Sequence, residues 1–133
     1  MHSNKRAKII NDPIYGFIEI DKGIINDLIN HDYFQRLRRI SQLGLSYLVY
    51  PGAEHSRFQH ALGCLHLMKK ALDVLENKGQ KITSDEKTAV KIAILLHDIG
   101  HSPFSHALER TLIKNISHED ITLLYLHRFN EIF

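Results

Sequence analysis

Residues 97–106 read His97-Asp98-Ile99-Gly100-His101-Ser102-Pro103-Phe104-Ser105-His106. They follow directly on the most apolar run of the chain, Ile92 to Leu96. That run reads as the end of a core helix, and Gly100 marks where the helix stops. His97 and His101 are four residues apart, a chelating spacing on one helix face. His97 and Asp98 are adjacent, about 100° apart around a regular helix, so they do not face each other. Both reach one ion only near a helix end, where the backbone can adjust. A His-Asp pair at the buried end of a core helix is costly unless it is ion-paired or metal-bound. Spacing alone leaves two readings open: a metal site, and a salt-linked structural pair.

Working outward, the flanking sequence is helical. Thr83 with Glu86 forms a Thr-x-x-Glu capping box that opens a helix through Ala89, Val90, Ala93, Ile94 and Leu96. Ser56 caps a long helix to Asn77, with Phe58, Ala61, Leu62, Leu65, Met68, Leu72 and Leu75 on one face and Gly79 beyond its end. Ser102-Pro103 restarts a helix, with Pro at its tolerated first position. Ser117 caps a last helix through Ile121, Leu124 and Leu126. That helix reaches Phe133 in unbroken rhythm with no Gly or Pro stop, which predicts a chain truncated at its C-terminus.

Toward the N-terminus, Phe34, Leu37, Ile40 and Leu43 continue a helical spacing that Gly44 ends, and His31 opens it. Leu45 to Tyr50 reads as a loop or short strand closed by Pro51-Gly52. Before these, Ile24, Ile25, Leu28 and Ile29 form a short apolar stripe. The segment from Ala7 to Ile20 reads as a short hairpin around Asn11-Asp12-Pro13 and Gly16. The expected fold is mainly α, one domain over residues 1–133, with a hairpin at 8–20 and a helical core at 24–133.

Composition supports a single globular core. The chain has 133 residues, 44% hydrophobic and 24% charged, with only seven Gly and three Pro, which excludes disordered and low-complexity classes. No apolar run approaches the roughly 18 residues of a membrane span. No apolar segment follows Lys5, Arg6 and Lys8, so a secretory signal is not expected and a cytoplasmic location is. One cysteine, Cys64, forms no internal disulfide and reads as a small buried hydrophobe. The net charge of +2 is mild for a nucleic-acid binder. The one dense basic cluster, Arg36, Arg38 and Arg39 with Gln35 and Gln42, reads either as a solvated helix face or as a phosphate contact. A weak nucleic-acid contact stays open there. The outlying number is histidine, ten in 133 residues. Clustered imidazole and carboxylate suit Zn, Fe, Mn or Ni better than metals that demand thiolate.

The run from His97 to His106 resembles the signature of the HD-domain metal-dependent phosphohydrolases. Pro51-Gly52-Ala53-Glu54-His55-Ser56-Arg57-Phe58-Gln59-His60-Ala61-Leu62-Gly63 is similar to the segment that supplies that family's first histidine. Phe34-Gln35-Arg36-Leu37-Arg38-Arg39-Ile40, Gln42-Leu43-Gly44 and Asn11-Asp12-Pro13-Ile14-Tyr15-Gly16 resemble the branch containing the deoxynucleoside triphosphate triphosphohydrolases.

The resemblance implies an HD-type helical core. It implies a divalent transition metal (Fe, Mn, Ni or Zn, with or without Mg) held by His60, His97, Asp98 and one further Asp. In the family that Asp lies well downstream, on a later helix, and the expectation is that it lies outside this chain. His101, His106 and His118 match positions along the phosphate path, where an imidazolium stabilises charge or protonates a leaving oxygen. Glu109 sits where relatives often carry Asp, as a partner orienting His118. Gln42, Arg57 and His106 match substrate-binding positions. Lys8, Asn11, Gln35 and Arg38 match a regulatory nucleotide site between subunits, where Asn30 replaces a guanine-reading Asp. The implied activity is hydrolysis of (deoxy)nucleoside triphosphates to release triphosphate, in a homo-oligomer. The competing expectation is a catalytically incomplete HD fragment, lacking its fourth ligand, with a structural or interaction role.

Overall fold

The computed structural model describes residues 8–104 and 116–133. The expected His106, Glu109 and the helix after Pro103 lie outside the described residues, apart from the turn at Pro103 and Phe104. The architecture is mainly helical with an N-terminal hairpin, as expected. In order it runs β1 (Lys8–Asp12), β2 (Gly16–Ile20), α1 (Ile24–Asn30), α2 (Asp32–Gln35), 3-10 turns at Arg36–Arg39 and Ser46–Leu48, α3 (Arg57–Asn77), α4 (Ser84–Leu96) and α5 (His118–Ile132).

The hairpin pairs antiparallel, Lys8 with Ile20 and Asp12 with Gly16. Asp12 fixes its turn, its carboxylate accepting from the backbone N–H of Ile14 at 2.8 Å and of Tyr15 at 2.9 Å. The strand period of two sends Ile18 and Ile20 inward and leaves Phe17 and Glu19 outside. These two isoleucines meet α1, which buries Ile25, Leu28 and Ile29. The long α3 is the spine, with Phe58, Ala61, Leu62 and Leu65 buried against α4 and the Arg36–Arg39 turn.

The expected caps form. Ser56 and Gln59 satisfy each other's backbone N–H groups, and Thr83 with Glu86 and Ser117 with Asp120 do the same. At the far end of α3, the N–H of Gly79 donates to Glu76 O at 2.8 Å and that of Gln80 to Leu75 O at 3.0 Å. Gly79 sits at φ +86, which only glycine adopts without strain.

Three expectations need correction, and a fourth, the choice between loop and strand at Leu45 to Tyr50, is settled as a loop. The helix expected to run to Gly44 tightens to 3-10 after Gln35 and ends at Arg39. Phe34, Leu37 and Ile40 are all buried, and their spacing of three fits a turn of three residues better than one of 3.6. Leu43, one step on, is 49% exposed. Beyond it, Leu45 to Tyr50 holds a 3-10 turn rather than a strand. On α4 the buried side chains are Leu95 and Leu96, joined by Ile99, whereas Ala89, Val90 and Ala93 face outward. On α5 Leu124 is 66% exposed. The inward stripe is instead Thr122, Tyr125 and Phe129, with Tyr125 and Phe129 packed on an aromatic group of His31 and Tyr33.

Candidate functional site

Two helix ends build the site. The Ser56 cap starts α3 so that Arg57 and His60 occupy its first turn and Cys64 the next. At the other end, α4 stops at Leu96 and the chain closes a tight turn, with Ile99 N–H donating to Leu96 O at 3.0 Å and His101 N–H to Asp98 O at 3.2 Å. Ile99 is fully buried and anchors that turn, so His97 and Asp98 point away from the core toward α3.

Three donor atoms converge. His60 Nε2 lies 3.3 Å from His97 Nε2, and Asp98 Oδ2 lies 3.6 Å and 3.5 Å from these two nitrogens. Ligands about 2.0–2.2 Å from one ion stand roughly 3.0–3.6 Å from each other, so the cradle fits a transition metal. The tautomer fits as well. His97 Nδ1 is 2.7 Å from the carbonyl oxygen of Ile94, which only accepts, so Nδ1 carries the proton and the Nε2 lone pair faces the cradle. Partial burial pushes the His60 pKa down and outweighs the opposite pull of Asp98, with His97, Arg57 and His55 adding to the fall. Near neutral pH His60 is therefore the uncharged form that ligates.

Arg57 is buried, and its guanidinium donates to Asp98 Oδ2 at 2.6 Å. It is not a surface residue of the helix. His101 is also buried, its Nδ1 3.6 Å from Asp98 Oδ1 and its ring 4.1 Å from that of His118 at the start of α5. His118 Nε2 is 3.2 Å from the carboxylate of Glu119. Gln42, Leu43, Arg57, His60, His97, Asp98, His101 and His118 line one cavity of about 380 Å³. The residues expected as metal ligands (His60, His97, Asp98), as catalytic groups (His101, His118) and as substrate contacts (Gln42, Arg57) thus meet at one place.

Gln42 arrives there because its segment pairs with the lead-in to α3, Gln42 N–H donating to His55 O and Arg57 N–H to Ile40 O. The basic cluster does not present a common face. Arg36 turns inward and clamps the histidine turn, donating to His101 O at 2.9 Å and to Ile99 O, with its guanidinium 4.9 Å from the Tyr125 ring centre. Arg38 lies 3.7 Å over the Phe58 ring and donates to Gln35 Oε1 at 2.8 Å. Lys8 donates to Asn30 Oδ1, and Gln35 to Ile29 O beside it. Asn11 stands apart, exposed near the hairpin turn.

Two residues carry more than the sequence indicates. Arg36 looks like part of a charged face, and nothing local marks its carbonyl partners more than sixty residues away. Cys64 is half-buried with its sulfur 3.6 Å from His60 Nε2. The spacing of four between His60 and Cys64 is the signal that identifies it.

The chain is similar to known proteins. Residues 57–133 match the family described as HD domain. The chain is 41% identical over 115 residues to the uncharacterized protein YwfO of Bacillus subtilis, covering 86% of this chain and 26% of that protein. It is 42% identical over 132 residues to the deoxynucleoside triphosphate triphosphohydrolase SAMHD1 homolog of Dictyostelium discoideum, covering 94% of this chain and 26% of that one. A crystal structure of a phosphohydrolase from Bacteroides thetaiotaomicron superposes with a TM-score of 0.92 at 54% identity, over 95% of this chain and 31% of that chain. The chain therefore spans about a quarter of the length of these curated relatives. On the matched segment, the converging donors and the shared fold, the chain belongs to the HD-domain family.

Proposed function

We propose that this chain carries the metal centre of a phosphohydrolase acting on (deoxy)nucleoside triphosphates with release of triphosphate. The observation that carries the reading is the single cavity in which the His60, His97 and Asp98 donors adjoin Arg57, His101 and His118. Relatives named as deoxynucleoside triphosphate triphosphohydrolases support the substrate class.

The residues divide the work by charge. A divalent ion held by His60, His97 and Asp98 would supply Lewis acidity, offsetting phosphate charge and lowering the pKa of water. Arg57 meets phosphate oxygens through its guanidinium fork, and its contact with Asp98 orients that carboxylate toward the two imidazoles. Release of intact triphosphate requires the ester bond between the sugar oxygen and the first phosphorus to break. A water oxygen bonds to that phosphorus as the ester bond breaks, the leaving sugar oxygen takes up a proton, and this reading assigns that proton to His101 or His118, whose rings lie 4.1 Å apart. Gln42 reaches the same cavity with an uncharged amide suited to a sugar hydroxyl. Lys8, Asn11, Gln35 and Arg38 form the second nucleotide contact of this reading, at a junction between copies of the chain, with Asn30 where a guanine-reading Asp stands in relatives.

The experiment is incubation of the purified protein with dNTPs and Mn(II), Fe(II), Zn(II) or Mg(II), with products separated by anion exchange. Inorganic triphosphate and deoxynucleoside in equal amounts, lost in Asp98→Ala, are the expected result. Orthophosphate or pyrophosphate as the product overturns the bond assignment. Metal bound at one ion per chain with no turnover overturns the enzymatic reading in favour of an incomplete HD module.

A further inference from the structure

Two partners compete for the guanidinium of Arg57. The mechanism above gives it to phosphate, and the structure gives it to Asp98. Its Nη1 donates to Asp98 Oδ2 at 2.6 Å, with both side chains largely out of water. That oxygen is also the one that faces the metal cradle, 3.6 Å from His60 Nε2 and 3.5 Å from His97 Nε2. One carboxylate oxygen thus holds the guanidinium and completes the donor set for a divalent ion.

In the metal-free chain the guanidinium is the positive charge that Asp98 needs, because a carboxylate this far from water is costly without one. An ion held by His60, His97 and Asp98 would change that balance in two ways. It would take up the negative charge of Oδ2, and it would repel a like charge held against the same oxygen. Both effects loosen Arg57. The cavity offers the guanidinium another place. Arg57 Nη2 already approaches Gln42 O, at 3.5 Å. Gln42 Oε1, on the same residue, is buried with no hydrogen-bond partner among the described residues, and an acceptor left in that state is costly. Gln42, Arg57, His101 and His118 line the same cavity. A guanidinium turned from Asp98 toward Gln42 therefore stays beside the groups assigned to phosphate and, with five N–H donors, keeps some for it.

We propose that Asp98 withholds Arg57 from phosphate until a divalent ion is bound, so that ion and triphosphate bind in that order and each strengthens the other. The proposal rests on the reading of Arg57 as a phosphate contact and of His60, His97 and Asp98 as a metal centre. Coupling of this kind is reciprocal: what ion binding adds to phosphate affinity, phosphate binding adds to ion affinity.

The test needs no turnover. Inorganic tripolyphosphate is titrated calorimetrically into the metal-stripped wild type, Asp98→Asn, Arg57→Gln and the double variant. Asp98→Asn loosens Arg57 without metal, and is expected to bind tripolyphosphate about tenfold or more tighter than the wild type. Arg57→Gln should change wild-type affinity by less than about threefold and remove most of the gain in the Asp98→Asn background. Asp98→Ala, matched to wild type by circular dichroism, is expected to give the same order. A gain that survives in the double variant would come from lost carboxylate repulsion alone, and overturns the proposal. So does the absence of any gain, or an Arg57→Gln loss of equal size with and without Asp98. Tripolyphosphate that binds none of the four chains overturns the phosphate reading of Arg57 as well.

Arginine side-chain NMR reads the exchange directly. The Nη signals of Arg57, assigned by their loss in Arg57→Gln, are expected to move on zinc binding toward their positions in metal-free Asp98→Asn. Nη signals left unmoved while zinc shifts those of the His97 ring overturn the switch and leave the metal centre standing. Zinc that moves neither set overturns the centre and the proposal together.

Discussion

The backbone N–H of Gly100 donates to the hydroxyl of Thr122 at 3.1 Å, and Thr122 in turn donates to His118 O at 2.9 Å. This short chain ties the histidine turn to the first turn of α5. It leaves no space at residue 100: a Cβ there would stand under 3.0 Å from the carbonyl oxygen of His118 and from the amide and hydroxyl of Thr122. Backbone cannot yield as a flexible side chain does, so α5 must move, and His118 moves with it.

Gly100→Ala is therefore expected to destabilise the chain by about 1–3 kcal/mol, the usual cost of forcing atoms into a packed site. Activity should fall further than stability alone explains, because His118 is displaced from His101. Thermal melts together with triphosphate release at a temperature well below both midpoints separate the two effects. Unchanged melting and unchanged turnover would show that α5 does not hold His118 against the turn.

Arg36 makes a second prediction on the same turn. Its guanidinium spans the carbonyls of Ile99 and His101, one on each side of Gly100. Lysine cannot reproduce that fork. Arg36→Lys should cost about 1.5–3 kcal/mol for hydrogen bonds made by a charged group and loosen the position of Asp98. Calorimetric zinc titration is expected to show affinity reduced by about ten- to a hundredfold, as for other groups that orient metal ligands. Wild-type affinity in this variant would place the turn's rigidity elsewhere.

Much of this site is legible in the sequence because its donors sit beside local signals. Ser56, Thr83 and Ser117 announce the starts of α3, α4 and α5, and those starts carry Arg57, His60 and His118 to the cavity. The apolar run before His97 and the glycine at position 100 announce the helix end that brings His97 and Asp98 together beside His60. What the sequence conceals is of another kind. The inward turn of Arg36 depends on carbonyls that exist only once α4 has ended against it. The apolar letters of α5 mislead because its docking face is Thr122, Tyr125 and Phe129, with a hydroxyl in the stripe. Cys64 reads as a core filler until the ring of His60 is seen beside it.

Asp21 carries the expected pH dependence of stability. Its carboxylate bridges Lys69 on α3 and Lys91 on α4, at 2.6 Å and 2.7 Å, just after β2. Partial burial works to raise its pKa, but the two lysines prevail and hold it below the ordinary 3.8. A lowered folded-state value means the bridge is fully stabilising above the unfolded pKa and is lost as pH falls through the folded one. All three side chains are partly exposed, so each pair contributes no more than about 1 kcal/mol. Asp21→Asn should lower the denaturant midpoint at pH 7, with the difference from wild type vanishing at a pH below the carboxylate range. A difference that persists in strong acid would mean that packing, not charge, is lost.

The last prediction concerns Arg57 and turns on what replaces it. Both Arg57 and Asp98 are largely out of water, with side chains 4% and 13% exposed. Removing one member of such a pair strands the other, which costs about 3–5 kcal/mol. Arg57→Ala is therefore expected to lower the melting temperature of the metal-stripped chain strongly. A divalent cation in the centre restores a positive charge beside Asp98, so zinc should recover much of that loss and should stabilise the variant by more than it stabilises the wild type. Asp98→Asn in the same background removes the stranded charge and the ligand together. It should recover stability without metal and abolish the zinc response. Melts of the wild type, Arg57→Ala and the double variant, each with and without zinc, read this out directly. Equal zinc stabilisation in wild type and Arg57→Ala would mean that Arg57 and the ion do not compensate the same carboxylate.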